Sequence, residues 1–290
     1  MMSERFVLVD SPDDPRLDQF RLRERELRPR RVSARVTKNM SAHELERVSA
    51  GSFVAEGDLV VERALAAGCR VHAVLTDADE PAAVCRSLAP DVPVFAASNE
   101  ARRMLTGLGV ALDVIALFER PIGRTLDEVI GQARHVLVLE DVDNPTNVGA
   151  IVRSAVALGV GGLVLDRNSA DPLSRRALRV SMGTALSLPT ARVDDLGITM
   201  TRLRELGFTT YGLTPAADAE DVGTTSPDRG RRLAVFMGSE RDGLTDSVLH
   251  AVDHRVRIPM SSGVDSLNVA AAAAVACYAL IGRSGAELDD

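Results

Sequence analysis

Short apolar runs alternate with amphipathic stretches along most of the chain, separated by polar breaks that carry glycine or proline. The first ordered block starts near Ser52. Phe53-Val54-Ala55 predicts a strand, and Asp58 is suited to cap a helix through Leu59, Val60, Ala64 and Leu65, with Gly68 as its stop. Val71–Leu75 predicts a strand, Pro81–Leu88 a helix and Val92–Ala96 another strand. Ser98 then caps a helix to about Leu105, and Ala111–Phe118 closes the block as a strand. Such alternation predicts a small α/β unit.

A second block begins at His135. Val136–Leu139 is apolar throughout, as expected of a strand covered on both faces of a parallel sheet. Helix Val148–Leu158, strand Leu163–Leu165, helix Ser174–Met182, strand Leu188–Val193 and helix Met200–Leu206 follow. Strands Phe208–Leu213 and Leu233–Met237, a short helix after Thr245, strand Arg255–Ile258 and helix Ser266–Ile281 complete it. Six strands with interleaved helices predict a doubly wound sheet. Thr214–Arg232, rich in Asp, Gly, Thr and Pro, reads as a surface loop. Residues 1–50 are polar and arginine-rich and read as an extension with one helix. Glu119–Ala133 holds Pro121, Gly123 and Gly131 and reads as the boundary between blocks. The expected organisation is thus 1–50 basic extension, 51–120 first domain, 121–134 linker and 135–290 second domain.

Composition narrows the function. Hydrophobic residues make up 46% and charged residues 26%, ordinary for a globular chain, while aromatics at 3% are too few for a base-stacking platform. The net charge of -7 excludes a generally basic nucleic-acid binder. Charge is unevenly spread, however. Arg21, Arg23, Arg25, Arg28, Arg30, Arg31, Arg35 and Lys38 face only Glu24 and Glu26, a block able to displace counterions from a phosphate backbone or to form a solvated face. Cys69, Cys85 and Cys277 are widely spaced and fit neither a disulfide framework nor a zinc site. No secretory core or membrane-length apolar run is present, which points to the cytoplasm.

Three segments concentrate the chemistry: Asn144–Arg153, Met237–Leu244 and Ile258–Val269. Each lies where an apolar strand gives way to a polar turn and a helix, the edge at which open α/β sheets bind ligands. In the first, Asn147 or Thr146 is suited to cap the helix, Gly149 allows close approach to its backbone, and Arg153 is isolated on an apolar helix. In the second, Gly238 and Gly243 bracket Ser239-Glu240-Arg241-Asp242, which matches neither a Walker A loop nor GxGxxG. In the third, Ser266 reads as a cap and Asn268 enters a nearly wholly apolar helix, where an unpaired amide is costly. His43, His72, His135, His250 and His254 fall in none of the three, so no Ser-His-Asp or Cys-His pairing is indicated. Gly159-Val160-Gly161-Gly162 follows a helix, the wrong end for phosphate binding.

With all three segments in order, residues 136–282 resemble the SpoU (TrmH-like) branch of the SPOUT RNA methyltransferases. Phe53-Val54-Ala55-Glu56-Gly57 and the following segment are similar to the L30-like substrate-binding domain that often precedes it. The resemblance implies an α/β architecture: a SPOUT-type knotted parallel-sheet domain preceded by a small L30-like α/β domain. It further implies S-adenosyl-L-methionine as cofactor, RNA (rRNA or tRNA) as substrate, 2'-hydroxyl methylation of ribose, a homodimer and no resident metal. Carried over by position, Met237, Gly238, Gly243, Ile258, Met260, Leu267 and Asn268 would hold the cofactor. Asn147, Arg153, Glu240, Ser266 and Asn268 would form the reaction centre, with the arginine reaching the partner's cofactor site. Arg28, Arg30, Arg31 and Arg35 are the expected RNA contacts. Ala270 stands where many members carry serine. Two other readings remain: a catalytically silent RNA-binding paralogue, and a nucleotide-binding oxidoreductase that lacks its glycine fingerprint.

Overall fold

The computed structural model describes residues 5–28, 51–106, 109–228, 230–261 and 266–282. The chain forms two compact units, Met1–Ile122 with Leu173–Leu186, and Gly123–Pro172 with Ser187–Asp290.

In the first unit, β1 (Phe6–Val9), α1 (Glu24–Leu27), β2 (Ser52–Glu56), α2 (Asp58–Ala66), β3 (Val71–Asp77), β4 (Val94–Ala97), α3 (Asn99–Thr106) and β5 (Val114–Glu119) build a five-stranded sheet ordered β1-β4-β3-β5-β2. Pairs β1/β4 and β3/β4 are parallel; β5 runs antiparallel to both β2 and β3. Strand β1 is a correction to the reading of the extension. The four-residue apolar run Phe6–Val9, set in an otherwise polar stretch, takes its place at the sheet edge by parallel register against Val94–Ala97. Pro81–Leu88 contains a 3-10 turn, Ala83–Arg86, in place of the expected α-helix. Val9, Leu17, Phe20, Leu27, Val54, Leu75, Phe95 and Leu117 form one apolar core, and Phe20 meets Phe95 edge-on at 6.2 Å.

The second unit opens with α4 (Leu126–Gln132), β6 (His135–Leu139), α5 (Pro145–Ala157) and β7 (Gly162–Leu165). Helix α6 (Arg175–Val180) belongs to the first unit; β8 (Thr190–Arg192), α7 (Leu196–Glu205), β9 (Phe208–Leu213), β10 (Glu220–Asp221), β11 (Arg232–Met237), α8 (Asp246–Ala251), β12 (His254–Arg257) and α9 (Val269–Leu280) return to the second. Helix α4 lies within the segment expected as linker. Thr125 and Glu128 form a reciprocal capping box that starts it despite the neighbouring Pro121 and Gly123. The seven-stranded sheet has the order β10-β12-β9-β11-β6-β7-β8, all pairs parallel. Alternation explains its two buried faces. Val136, Val138, Val164, Ala234 and Phe236 share a cluster with Met200, Leu203 and Val248 of α7 and α8, leaving the intervening residues of β6 and β11 to the opposite face.

Within the first unit, α6 is held by charge. Glu56, 4% exposed, accepts hydrogen bonds from Arg175 at 3.0 Å and from Arg179. The Arg175 backbone N–H donates to Glu24 at 3.0 Å, and its guanidinium donates to the Phe20 carbonyl at 2.6 Å. Among the described residues, no helix is long and apolar enough to cross a membrane, and no group of three or more His, Cys, Asp or Glu could hold a metal ion.

His135 opens β6 with its Nδ1 buried and unpartnered. Burial, and secondarily the charge of Arg134, lowers its pKa from the ordinary 6.5 to about 4. The unfolded chain therefore takes up the proton first as pH falls. The stability present above pH 6.5 declines between 6.5 and about 4. Denaturant midpoints of the wild type should drop between about pH 7 and about pH 5, and those of His135→Leu should drop less.

Candidate active site

Strands β6 and β11 are neighbours at the centre of the seven-stranded sheet. From β6 the chain steps outward through β7 and β8, whereas β9, β12 and β10 lie beyond β11. This reversal makes the carboxyl ends of β6 and β11 the switch point, where a crevice opens. The first and second turns leave from those two ends.

In the first turn the Glu140 N–H donates to the Met237 carbonyl at 2.9 Å, so β6 and β11 remain paired past their ends. The Glu140 carboxylate, 8% exposed, accepts from the Thr245 N–H at 2.8 Å and from its hydroxyl at 2.9 Å. A buried acid thereby ties the first turn to the far end of the second. Asn144, not Asn147 or Thr146, caps α5: its side chain accepts from the Thr146 N–H at 2.9 Å, and Pro145 takes the first helical position. Pro suits that position because its missing N–H would be unpaired anyway. Asn147 consequently falls inside the first helical turn, buried, with its amide free for another side chain.

The second turn folds back on itself. A Cβ on Gly238 would stand 2.0 Å from the Gly243 carbonyl carbon and 2.2 Å from the Gly243 oxygen and the Leu244 nitrogen. Gly243 adopts φ +70°, and its N–H donates to the Ser239 carbonyl at 3.1 Å. Two glycines five positions apart thus serve different ends, one for space and one for backbone angle.

The third turn is described from Ser266 onward and up to Ser261. Asn268, not Ser266, caps α9, accepting from the Ala270 N–H at 3.0 Å and the Ala271 N–H at 3.4 Å. Its amide nitrogen donates to Asn147 Oδ1 at 3.1 Å and to Glu240 Oε1. The Val269 N–H adds a third link, donating to Glu240 Oε1 at 3.3 Å. Asn147, Glu240 and Asn268, one from each turn, therefore meet in a single hydrogen-bonded set. The amino end of α9 also favours the Glu240 charge. Glu240 Oε2 has no hydrogen bond among the described residues.

Beside this set lies a cleft of about 470 Å³. Met237, Gly238, Gly243, Ile258, Met260 and Leu267 all line it, together with Glu240 and Ser266. Leu213, Thr214 and Pro215 line it too. Leu213 ends β9, and Thr214 and Pro215 begin the stretch read as a surface loop; the signal that marks them is the end of that strand at the same sheet edge. Arg153 is exposed on α5, outside the cleft wall, and has no hydrogen bond or ion pair among the described residues. Six residues of helix place it roughly 120° around the axis from Asn147, so the two point to different sides. Arg28 is exposed at the end of α1, while Arg30, Arg31 and Arg35 lie outside the described residues. A larger depression of about 620 Å³ near Tyr211 and His254 contains no residue of the three turns.

Comparison with known proteins bears on the family and the fold. A profile of the SpoU rRNA methylase family matches residues 134–278. An uncharacterized tRNA/rRNA methyltransferase of Mycobacterium tuberculosis is 38% identical over 276 residues, 93% of this chain and 90% of that protein. The 23S rRNA (guanosine(2553)-2'-O)-methyltransferase RlmP of Bacillus subtilis is 27% identical over 239 residues, 82% of this chain and 91% of its own length. Among solved structures, an AdoMet-bound rRNA methyltransferase from Sinorhizobium meliloti superposes with a TM-score of 0.75, covering 99% of this chain and 100% of that one. At 23% identity that likeness speaks for the fold alone. With its three turns joined at the switch point and a relative this similar over nearly its whole length, the chain belongs to the SpoU rRNA methylase family.

Proposed function

We propose that the protein transfers the methyl group of S-adenosyl-L-methionine to a ribose 2'-hydroxyl of ribosomal or transfer RNA. One observation carries this reading: Glu240 stands in the wall of a cleft lined by six of the seven residues expected to hold the cofactor, and Asn268, the seventh, lies behind that wall and joins Glu240 to Asn147. The relatives named for rRNA 2'-O-methylation support it.

The cleft suits the cofactor. Its volume of about 470 Å³ lies within the ~300–1,000 Å³ typical of small-molecule sites. Leu213, Met237, Leu244, Ile258, Met260 and Leu267 offer apolar walls for a flat heterocycle, and the absent side chain at Gly238 exposes backbone groups. When bound, the cofactor supplies a methyl group on a positively charged sulfur, which leaves with the electron pair of the broken C–S bond. Glu240 Oε2 is left to accept a hydrogen bond from the attacking hydroxyl, while Asn268 and the α9 amino end fix the other carboxylate oxygen. A guanidinium is a poor base, so Arg153 serves as a cation for a phosphate or for charge developing on the ribose oxygen.

Arg153 performs that role in a second copy of the chain. Its orientation away from Asn147 supports this, as does an exposed apolar stripe on α9 formed by Ala271, Val275 and Tyr278 at helical spacing. The same reading makes the first unit an L30-like RNA-binding domain, gives the second the family's trefoil knot, and places the protein in the cytoplasm, where free Cys69, Cys85 and Cys277 are at home.

The test is transfer of labelled methyl from the cofactor to bulk ribosomal and transfer RNA, followed by digestion to nucleosides. Label on 2'-O-methylnucleosides is the expected result. Label on bases, or none, contradicts the proposal. In sedimentation velocity the wild type should run as a dimer and Tyr278→Asp as a monomer.

A further inference from the structure

An enzyme of a polyanion needs a cation where the strand passes the reacting group, and this cleft is short of them. Among the described residues lining it, Glu240, Asp242 and Asp246 are acidic and Arg241 is the single basic one. Asp141 and Asp143 of the first turn add negative charge nearby in sequence to Asn147. Arg241 directly follows Glu240, so its backbone is fixed by the same folded turn.

Its side chain is engaged in an unusual way. Arg241 Nη2 donates to Asp143 Oδ2 at 2.6 Å, linking the second turn to the first across the switch point. The side chains are 74% and 57% exposed, and Arg241 has no other partner among the described residues. An exposed pair of this kind contributes little net stability and is screened by salt. The pair is joined by one N–H···O contact, and a backbone phosphodiester carries the same single negative charge spread over two free oxygens that the planar guanidinium can engage together, so exchange of one anion for the other is easy.

Resting on the RNA methyltransferase reading, we propose that Arg241 contacts a backbone phosphate of the RNA beside the target ribose, and that Asp143 holds the guanidinium until RNA takes it. Asp143 then lowers affinity for any polyanion, both by occupying Arg241 and by repelling phosphate. RNA must displace it, which disfavours strands that cannot present a phosphate at that spot. The pair is a substrate exchange point, distinct from the Asn147–Glu240–Asn268 set that orients the reacting hydroxyl.

The two partners should therefore change in opposite directions. Steady-state transfer to bulk ribosomal RNA and bulk transfer RNA, with S-adenosylhomocysteine affinity by calorimetry and RNA affinity by filter binding over a salt series, reads this out. Arg241→Ala should raise KM for RNA about 10-fold and reduce the salt slope by about 1, with kcat and S-adenosylhomocysteine affinity changing less than about twofold. Arg241→Lys should recover most of the loss. Asp143→Asn should lower KM for RNA about threefold. If both variants weaken RNA binding, the pair is a structural tie and the proposal fails. If Arg241→Ala mainly weakens S-adenosylhomocysteine, the guanidinium serves the cofactor carboxylate and the proposal also fails. Wild-type protein that binds RNA but transfers no methyl would overturn the parent reading alone, since filter binding still scores the pair.

Discussion

Replacing Gly238 by alanine is expected to abolish cofactor binding while leaving the chain folded. The added methyl would stand 2.0 to 2.2 Å from three backbone atoms of Gly243 and Leu244, and backbone cannot rotate away as a side chain can. Relief requires the turn to unfold from the Ser239–Gly243 bridge, which dismantles the cleft wall at its centre. Affinity for S-adenosylhomocysteine should fall by at least about 100-fold, roughly 2.8 kcal/mol. Gly238–Gly243 contributes no side chain to the apolar cluster that holds Leu244, so the thermal midpoint should move by only a few degrees. Gly131→Ala is the matched control. That position in α4 has nothing within 4 Å of the added methyl, and alanine there favours the helix. It should bind the ligand as the wild type does.

Asn268→Ala should be the most damaging change that spares the cofactor walls. Its side chain caps α9 through Oδ1 and joins Asn147 to Glu240 through Nδ2. Among the described residues, removing it leaves Glu240 held only by the Val269 N–H and the buried Asn147 amide without this partner. A loss of about 10²–10³ in kcat is expected, comparable to removing one preorganised polar group from an active site. Asn268→Asp separates the two roles. The carboxylate retains the cap but faces Glu240 with like charge, so the helix should persist while activity falls at least as far. The double variant with Glu240→Gln should lose much less than the summed single losses, because both act in one hydrogen-bonded unit.

The sequence carried the second unit's architecture well for a physical reason. Buried parallel strands such as Val136–Leu139 and Leu233–Met237 must be apolar on both faces, and that leaves a contiguous mark. Strand β1 left a shorter mark: Phe6–Val9 is a four-residue apolar run inside a polar, arginine-rich stretch, with Val7 and Leu8 exposed, and its place in the sheet comes from pairing with β4. The caps were displaced for a related reason. Asn144-Pro145-Thr146-Asn147 offers two asparagines, and the choice falls to the proline, which fits only after Asn144. Ser266 and Asn268 are equally competent as caps in isolation. Asn268 prevails where its amide also finds Asn147 and Glu240, partners 121 and 28 residues away. Such distant pairings, like Glu140 with Thr245, have no local signature. The resemblance in the three turns nonetheless marked the cleft, since six of its lining residues stood among those expected to hold the cofactor.

The most direct measurement of the central claim is a crystal structure of the protein with S-adenosylhomocysteine. The ligand should lie between the Gly238–Gly243 turn and Met260–Leu267, its sulfur facing Glu240 and Asn268, with Arg153 of a second copy close by. Ligand density anywhere else, or a filled cleft whose sulfur points away from Asn147, Glu240 and Asn268, would contradict the account.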